Sequence, residues 1–337
     1  ADVGRYWAWL GSLPYVVTTE AGRFPHDLAR DVLQAELERR DPGARRRAHR
    51  AIQRFIAQVR QADPDVPIEE IACHKIFLHR ASLLFADMLD RRDRHGYTVV
   101  AGTPGDHEQV LDVLRRHEAE HEVALAARWL AVQPGALRVI RRHGTVMAFV
   151  IELILPADDG LERDDPLVRA VRSAVAQRGD LRPGEQMSLG RFFGAPSPEH
   201  QRDPLAILCG AVGSTALWFT RPLAWSWVLT HAPDVWDPIF DYIAFDERLE
   251  IPGSPPRVAY GMDWRRIGIG EWADAMIDRE LNGGSGPLPV ELRRPAPLGR
   301  EQFDAAVKDA LRSLDDPLRL AANPLTRSRL VESATAD

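Results

Sequence analysis

The sequence predicts an α/β protein built around one mixed sheet, and three observations point to this fold class. Between about residues 96 and 265, short β-branched or aromatic runs alternate with longer segments whose apolar residues have helical spacing. The last unit is the most informative: a Trp-rich run over 223–230, an amphipathic segment over 234–245 and a β-branched run over 257–263. The composition, with 45% hydrophobic and 27% charged residues, is typical of soluble globular proteins.

Composition also argues against several functional classes. The formal net charge of −6 gives no general affinity for nucleic acid, and the basic run over 45–47 lacks interleaved aromatic residues, so we predict no direct nucleic-acid binding. Cys73 and Cys209 are far apart and lie in no Cys-x-x-Cys pattern, which argues against a disulfide framework. No apolar run approaches the ~18 residues that a membrane span needs, and we expect a cytoplasmic protein.

The length of 337 residues predicts two or three domains. We place the first at 1–93 and expect it to be helical and winged-helix-like. A β-branched run over 13–19, followed by a turn at 21–22, predicts a small hairpin or wing. Helical spacing or turn signals predict helices near 6–10, 24–38, 44–60 and 68–89.

The second predicted domain, 94–266, holds the sheet, and the third, 267–337, is a helical tail with a Gly- and Pro-rich linker near 282–297. Strands are expected at 97–101, 136–142, 145–155, 186–193, 223–230 and 257–263. Helices are expected at 107–132, 166–177, 204–219, 234–245, 271–281, 300–314 and 318–331.

The order of elements in the middle domain resembles that of the Gcn5-related N-acetyltransferase (GNAT) fold, over roughly half of the chain. In that family a Tyr-x-x-x-Gly-Phe helix follows the fifth strand, and here the segment over 234–245 ends in Ala244-Phe245. The resemblance implies a scaffold shaped for an acyl-CoA. Acetyl-CoA and longer acyl-CoAs are therefore the candidate cofactors.

In the family, the CoA pyrophosphate binds where the fourth strand meets the next helix, at a Gln/Arg-x-x-Gly-x-Gly/Ala pattern. Glycines let the backbone close on the phosphates, which the helix N-terminus attracts. Here Asp203 and Pro204 stand where glycines are expected; the carboxylate repels phosphate and proline lacks an N–H. We therefore predict a degenerate loop, in which the resemblance leaves these candidate cofactor-binding residues: Met187, Leu189, Gln201, Arg202 and Leu205.

The resemblance also implies candidate catalytic residues. The family's tyrosine, which protonates the leaving thiolate, corresponds to Phe240, and a phenyl ring has no proton to give. Tyr242 and the strand-borne carboxylates of Glu152 and Glu185 are the remaining candidates. Three aromatic residues are predicted to line a pocket for an apolar ligand, the alternative being a place in the core: Trp225, Trp227 and Phe240.

Two further patterns bear on function. Residues 26–31 read His-Asp-Leu-Ala-Arg-Asp, which resembles the winged-helix signature of signal-transduction ATPases (the STAND class), although the chain contains no Gly-x-x-x-x-Gly-Lys-Ser/Thr loop. Residues 117–121 read His-Glu-Ala-Glu-His, and on one helix His117 and His121 could share a zinc ion while Glu118 activates a water molecule. The charged flanks of this pattern favour a solvated helix face instead, so we expect no metal.

Together these patterns predict a degenerate acyltransferase-like sensor or interaction region of a STAND-type regulator. Its predicted partners are an acyl-CoA-like or apolar small ligand and an upstream ATPase domain of the same parent chain. Two alternatives stay open. One is an active acyl-CoA-dependent N-acyltransferase, and the other is a zinc-dependent hydrolase.

Overall fold

A computed structural model describes residues 2–19, 22–80, 82–157, 164–253 and 255–282, and the single positions 288, 305 and 308. Its helices are α1 Val3–Ser12, α2 Asp27–Arg40, α3 Pro42–Ala62, α4 Ile68–Phe77, α5 Leu83–His95, α6 Pro104–His117, α7 Glu120–Val132, α8 Pro166–Gly179, α9 Pro204–Trp218, α10 Pro233–Tyr242 and α11 Ile269–Asn282. Its strands are β1 Val16–Thr19, β2 Gly22–Pro25, β3 Val99–Ala101, β4 Leu137–Arg142, β5 Thr145–Pro156, β6 Gln186–Gly194, β7 Leu223–Thr230, β8 Glu247–Ile251 and β9 Arg257–Asp263.

The α/β prediction is confirmed, because seven strands of the described part form one mixed sheet with helices on its faces. The strand order is β3-β4-β5-β6-β7-β9-β8, and β6 and β7 are the parallel neighbours while the other neighbours are antiparallel. The pairing of β6 with β7 ends at Gly190 and Val228, although β6 continues to Gly194. The two strands therefore diverge at their carboxyl ends, and this gap positions the candidate site. This strand order and divergence are consistent with the GNAT-like sheet expected from the sequence.

Two hydrophobic cores lie on opposite faces of the sheet, because side chains alternate along each strand. Trp225 and Trp227 face the core that is covered by α6, α7 and α8. Val228, between them and the end of β7, faces the other core, together with α9 and α10. The helices α4, α5 and α11 also contribute to this second core, which therefore crosses the predicted bounds at 93/94 and 266/267. The division into domains stays a prediction.

Two predicted helices need correction, and one strand was not predicted. The helix expected over 107–132 is broken, since α6 ends at His117 and α7 begins at Glu120, with extended backbone between them. The helix expected over 68–89 is two helices, and Ser82 caps the second through its bond from the Leu84 N–H. Strand β8 was not predicted, because its exposed positions carry charged residues on the edge of the sheet.

The predictions for the N-terminal and C-terminal segments are confirmed only in part. The predicted N-terminal hairpin is confirmed, since β1 and β2 pair as an antiparallel two-stranded sheet. The winged-helix likeness of residues 1–93 stays a prediction. The helices predicted at 300–314 and 318–331 lie outside the described residues, apart from Ala305 and Lys308, which are helical. None of the described helices is long and apolar enough to cross a membrane.

Candidate functional site

The loop over 195–203 fills the gap between the diverging ends of β6 and β7. Gln201 is only 3% exposed, and its side-chain oxygen accepts hydrogen bonds from the Thr230 hydroxyl at 2.8 Å and the His231 N–H at 3.0 Å. The indole N–H of Trp236 donates to the Gln201 carbonyl at 3.4 Å. The loop is thus fastened to the end of β7 and to α10.

Asp203 closes the N-terminus of α9, where the resemblance places the CoA pyrophosphate. One carboxylate oxygen accepts the Leu205 N–H at 2.8 Å, and the other accepts the Ser197 hydroxyl at 2.6 Å. Arg202 is exposed and pairs with Asp234, so its guanidinium is already engaged. A carboxylate of the chain therefore takes the donor that a phosphate would need at this helix end.

His200 holds the loop against the end of β6. A Cβ on Gly194 would lie 2.0 Å from the Cε1 atom of His200, so only glycine leaves room for this ring. The ring stacks on His117 with centroids 4.2 Å apart, and lies 6.0 Å from the ring of His231. Burial lowers the pKa of His200 to about 4, so its imidazole is neutral at pH 7.

A buried ion pair at the break between α6 and α7 borders this histidine stack. The Glu118 carboxylate accepts a hydrogen bond from Arg257 at 2.6 Å and lies 3.6 Å from Nδ1 of His231. Burial opposes the charge on Glu118, but the hydrogen bonds and charge of Arg257, together with His231 and His200, lower its pKa overall. The inward Glu118 side chain thus bonds to Arg257 at the position where the helix is interrupted.

This interruption removes the geometry that the zinc hypothesis requires. His117 belongs to α6 and stacks on His200, whereas His121 belongs to α7 and its side chain is 73% exposed beside Glu122. The two histidines do not lie one turn apart on one helix. Among the described residues, no group of three or more His, Cys, Asp or Glu side chains is arranged to hold a metal ion.

Of the two candidate bases, Glu152 lies in the middle of the sheet and Glu185 does not. Glu152 is 2% exposed and accepts the Ser214 hydroxyl of α9 at 2.9 Å. Burial raises the pKa of Glu152 to about 7. Glu185 precedes β6, accepts the Arg182 N–H and lies 3.3 Å from Arg265, at the end of β6 opposite to the gap. The two carboxylates do not share a site.

An apolar cavity of about 90 Å³ lies on the α9 face of the sheet. Its walls come from α9, α10 and the sheet, and also from α3, α4, α5 and α11, which flank the predicted middle domain. The aromatic side chains among its lining residues are Phe85, Phe193, Trp218, Phe219, Trp236, Phe240, Tyr242 and Trp272, together with His79. Lys75 of α4 is the cation of this wall.

The cavity contains one of the three residues predicted to form a ligand pocket. Phe240 lines it and stacks on Tyr260 with centroids 4.3 Å apart. Trp225 and Trp227 stack on each other on the opposite face, where Met187 and Leu189 are buried beside them. The arrangement separates Met187 and Leu189 from the loop residues, whereas Gln201, Arg202 and Leu205 do lie together at the start of α9.

Tyr242 lines the same cavity but is engaged with other side chains. Its hydroxyl donates to Glu280 at 2.7 Å and lies 3.0 Å from Nδ1 of His79. Burial and the nearby Glu280 carboxylate raise the pKa of Tyr242 well above its usual range. A phenol in this setting holds its proton, so Tyr242 is a poor general acid.

Comparisons with known proteins give only distant structural neighbours. No family model matches the sequence, and no curated protein matches it either. A solved structure of a mutant agmatine N-acetyltransferase, 14% identical, has a TM-score of 0.35 and covers 50% of this chain and 99% of its own. A putative acetyltransferase from Staphylococcus aureus Mu50, 13% identical, has a TM-score of 0.30 with 49% and 97% covered. A GNAT-family acetyltransferase from Bacillus cereus ATCC 10987, 8% identical, has a TM-score of 0.29 with 50% and 96% covered.

Sequence reasoning missed the side chains that other segments bring to the site. His200, Arg257 and Lys75 were not singled out, because each acts with residues far away in the chain. One signal was available for Lys75: the chain has only two lysines, and the other is Lys308. No pattern around His200 or Arg257 marked them as buried.

Proposed function

We propose that this chain is a degenerate acyltransferase-like sensor or interaction region of a STAND-type regulator, which binds an apolar small ligand and does not turn over acetyl-CoA. The observation that carries the proposal is the Asp203 carboxylate at the start of α9. It accepts the Leu205 N–H and the Ser197 hydroxyl, the kind of donors that hold a phosphate at a helix N-terminus.

Binding of CoA at this loop would be opposed twice. The pyrophosphate would have to displace the Asp203 carboxylate from both of its donors, and it would then lie beside that negative charge. Gln201 adds a further obstacle, because its three contacts with β7 and α10 hold the loop inside the gap between the strands. These contacts support loss of the cofactor site.

The cavity supports the ligand-binding half of the proposal. It lies between α9 and α10, and its apolar wall is formed by aromatic and aliphatic side chains together. Ligand sites in proteins are mostly apolar with a few placed polar groups, and here Lys75, His79 and Ser214 supply such groups. The cavity is thus a suitable place for a small molecule.

The STAND context rests on the His-Asp-Leu-Ala-Arg-Asp sequence at the start of α2. Its first residue, His26, is exposed, and α2 leaves Leu28 and Val32 exposed at 74% and 60%. Exposed apolar side chains on a helix suit contact with another domain. A pull-down with the ATPase domain from upstream in the parent gene tests this part, and retention that does not depend on His26 contradicts it.

Calorimetric titration with CoA, acetyl-CoA and hexanamide tests the ligand-binding part. Hexanamide is a neutral apolar molecule of the size that the cavity admits. We expect it to bind, and we expect neither CoA nor acetyl-CoA to bind with sub-micromolar affinity. The variant Ala273→Leu adds bulk at the cavity wall and should abolish hexanamide binding, whereas Ala131→Leu, on the exposed face of α7, should not. Sub-micromolar CoA binding, or equal hexanamide binding by both variants, contradicts the proposal.

One observation favours the active N-acyltransferase as a second candidate. The pKa of Glu152, raised by burial to about 7, is near the value that suits a general base at neutral pH. Glu152 also contacts Ser214, which lines the cavity. An acylation assay with a Glu152→Gln variant, described in the Discussion, decides between the two candidates.

A further inference from the structure

Lys75 is a basic residue at the wall of the apolar cavity. It lies in α4, at the cavity wall, with its Nζ atom 4.0 Å from the ring centroid of Phe219. Within the described residues, no carboxylate comes within ion-pair distance of this Nζ, and Asp274 acts on it only at longer range. The ammonium group thus lies over an aromatic ring at the cavity wall, and the described residues give it no paired anion.

A cation in such an apolar wall is costly unless a partner compensates it. Burial disfavours the charged form and lowers the pKa of Lys75 from its ordinary value. The ring of Phe219 offsets part of this cost, since a cation over an aromatic face is attracted to it. A negative charge beside Lys75 would offset more of this cost, and the described walls bring none within ion-pair distance.

We propose that the cavity binds a small apolar carboxylate, whose carboxylate group pairs with Lys75 and whose apolar body packs against the aromatic walls. The inference rests on the proposed function, because it specifies the ligand of the same cavity.

The size of the cavity limits this ligand. By the measure that gives about 90 Å³ here, one water molecule needs about 10–15 Å³, so roughly seven waters fit. This corresponds to an organic molecule of about eight to ten non-hydrogen atoms. Hexanoate and phenylacetate have this size, and a complete acyl-CoA does not.

The other polar groups at the cavity favour one negative charge over two. His79 is neutral at pH 7, because burial lowers its pKa to about 4. The Tyr242 hydroxyl donates to the Glu280 carboxylate, whose charge opposes a doubly charged ligand more strongly than a singly charged one. A doubly charged phosphate would therefore meet one cation and one carboxylate, whereas a carboxylate ligand needs only Lys75.

The test compares each acid with its amide, which has the same shape and no charge. Hexanoate and phenylacetate are titrated against hexanamide and phenylacetamide by calorimetry at pH 7. We expect the acids to bind about tenfold more tightly, or better, since hydrogen bonds to charged groups are the stronger ones. The variant Lys75→Met should reduce the affinity for the acids to that for the amides or below it, because an unpaired carboxylate is costly to bury, and should leave the amides unchanged. Lys75→Arg should keep a preference for the acids, and Lys308→Met, at an exposed position, should behave like the parent chain.

A second measurement does not depend on how the variants fold. With only two lysines, a chain labelled at its lysine side chains gives two lysine resonances, and Lys308→Met identifies that of Lys75. Addition of hexanoate should raise the pKa of Lys75, because a nearby carboxylate favours the charged form. Hexanamide should not raise it.

The outcomes separate the two proposals. Equal affinities for acid and amide, an unchanged preference in Lys75→Met, or no rise in the pKa of Lys75 overturns the carboxylate inference and leaves an apolar ligand site in place. If neither acid nor amide binds the parent chain, the cavity is no ligand site, and both proposals fail.

Discussion

Removal of the Asp203 side chain is expected to weaken the fold and to strengthen anion binding at the same loop. In Asp203→Ala, α9 loses its N-cap bond to the Leu205 N–H, which typically costs about 1 kcal/mol. The Ser197 hydroxyl loses a charged acceptor, and because Ser197 is half-buried and can turn to water, we assign this loss about 1 kcal/mol. The free energy of unfolding should therefore fall by about 2 kcal/mol.

The gain in anion affinity comes from the lost charge. One carboxylate near a bound phosphate at a partly exposed site opposes binding by about 1 kcal/mol, so its removal should tighten CoA binding about fivefold. Asp203→Asn separates the two effects, because asparagine caps a helix about as well as aspartate and carries no charge. It should keep the stability within about 0.5 kcal/mol and still bind CoA more tightly.

Urea denaturation followed by tryptophan fluorescence measures the stability, and calorimetry with CoA measures the affinity. Asp112→Ala, at an exposed position of α6, serves as the control and should change neither quantity appreciably. The reasoning is refuted if Asp203→Ala loses less than about 0.5 kcal/mol, given that cap losses range upward from that value. It is also refuted if neither Asp203 variant binds CoA more tightly than the parent chain.

The remaining predictions concern stability, catalysis and metal content. Gly194→Ala forces a Cβ against the ring of His200 and should lower the free energy of unfolding by about 1–3 kcal/mol in the same denaturation assay. Gly135→Ala is the control and should be nearly neutral, because a Cβ there meets no atom within 4 Å. The pKa of Glu152 is about 7 in the folded chain and about 4.5 in the unfolded chain, so the unfolded chain releases this proton first as the pH rises. The free energy of unfolding should therefore fall by up to about 3 kcal/mol between pH 5 and pH 8, and Glu152→Gln should remove this fall. An unchanged pH profile in Glu152→Gln would count against the burial argument. No acetyl-CoA-dependent acylation of common amines above the uncatalysed rate is expected, and turnover that Glu152→Gln abolishes would establish the enzyme as the better candidate. Elemental analysis should find well under one equivalent of zinc, and a full equivalent that His121→Ala removes would revive the hydrolase hypothesis.

The sheet was predictable because its strands are apolar runs with clear turns between them. β7 and β9 match their predicted bounds, since most of their residues are buried and the hydrophobic pattern ends where the strands end. Strand β8 escaped because an edge strand with charged side chains resembles a loop in sequence. The break at Glu118 also escaped, because the partner that Glu118 meets there, Arg257, lies 139 residues further along the chain.

The candidate site was predictable only in part. Asp203 was identified as harmful to phosphate binding from its place in the motif, and its capping role agrees with that reasoning. Alternation along β7 correctly puts Trp225 and Trp227 on one side, but it does not tell which face of the sheet holds the cavity. Lys75 reaches the cavity from α4, so its role depends on packing between segments that sequence periodicity treats separately.

The cavity has a mechanical consequence for the chain. Its walls include Lys75 in α4 and Met276 in α11, which are separated by 201 positions in sequence. All seven strands of the large sheet lie between these two residues along the chain. The ligand that we propose for this cavity would contact both helices and would hold α4 and α11 together. At a hundredfold excess over its dissociation constant, such a molecule adds about 2.7 kcal/mol to the work of pulling these helices apart, if their separation empties the cavity. Ligand concentration would in this way set how firmly α4 and α11 stay together.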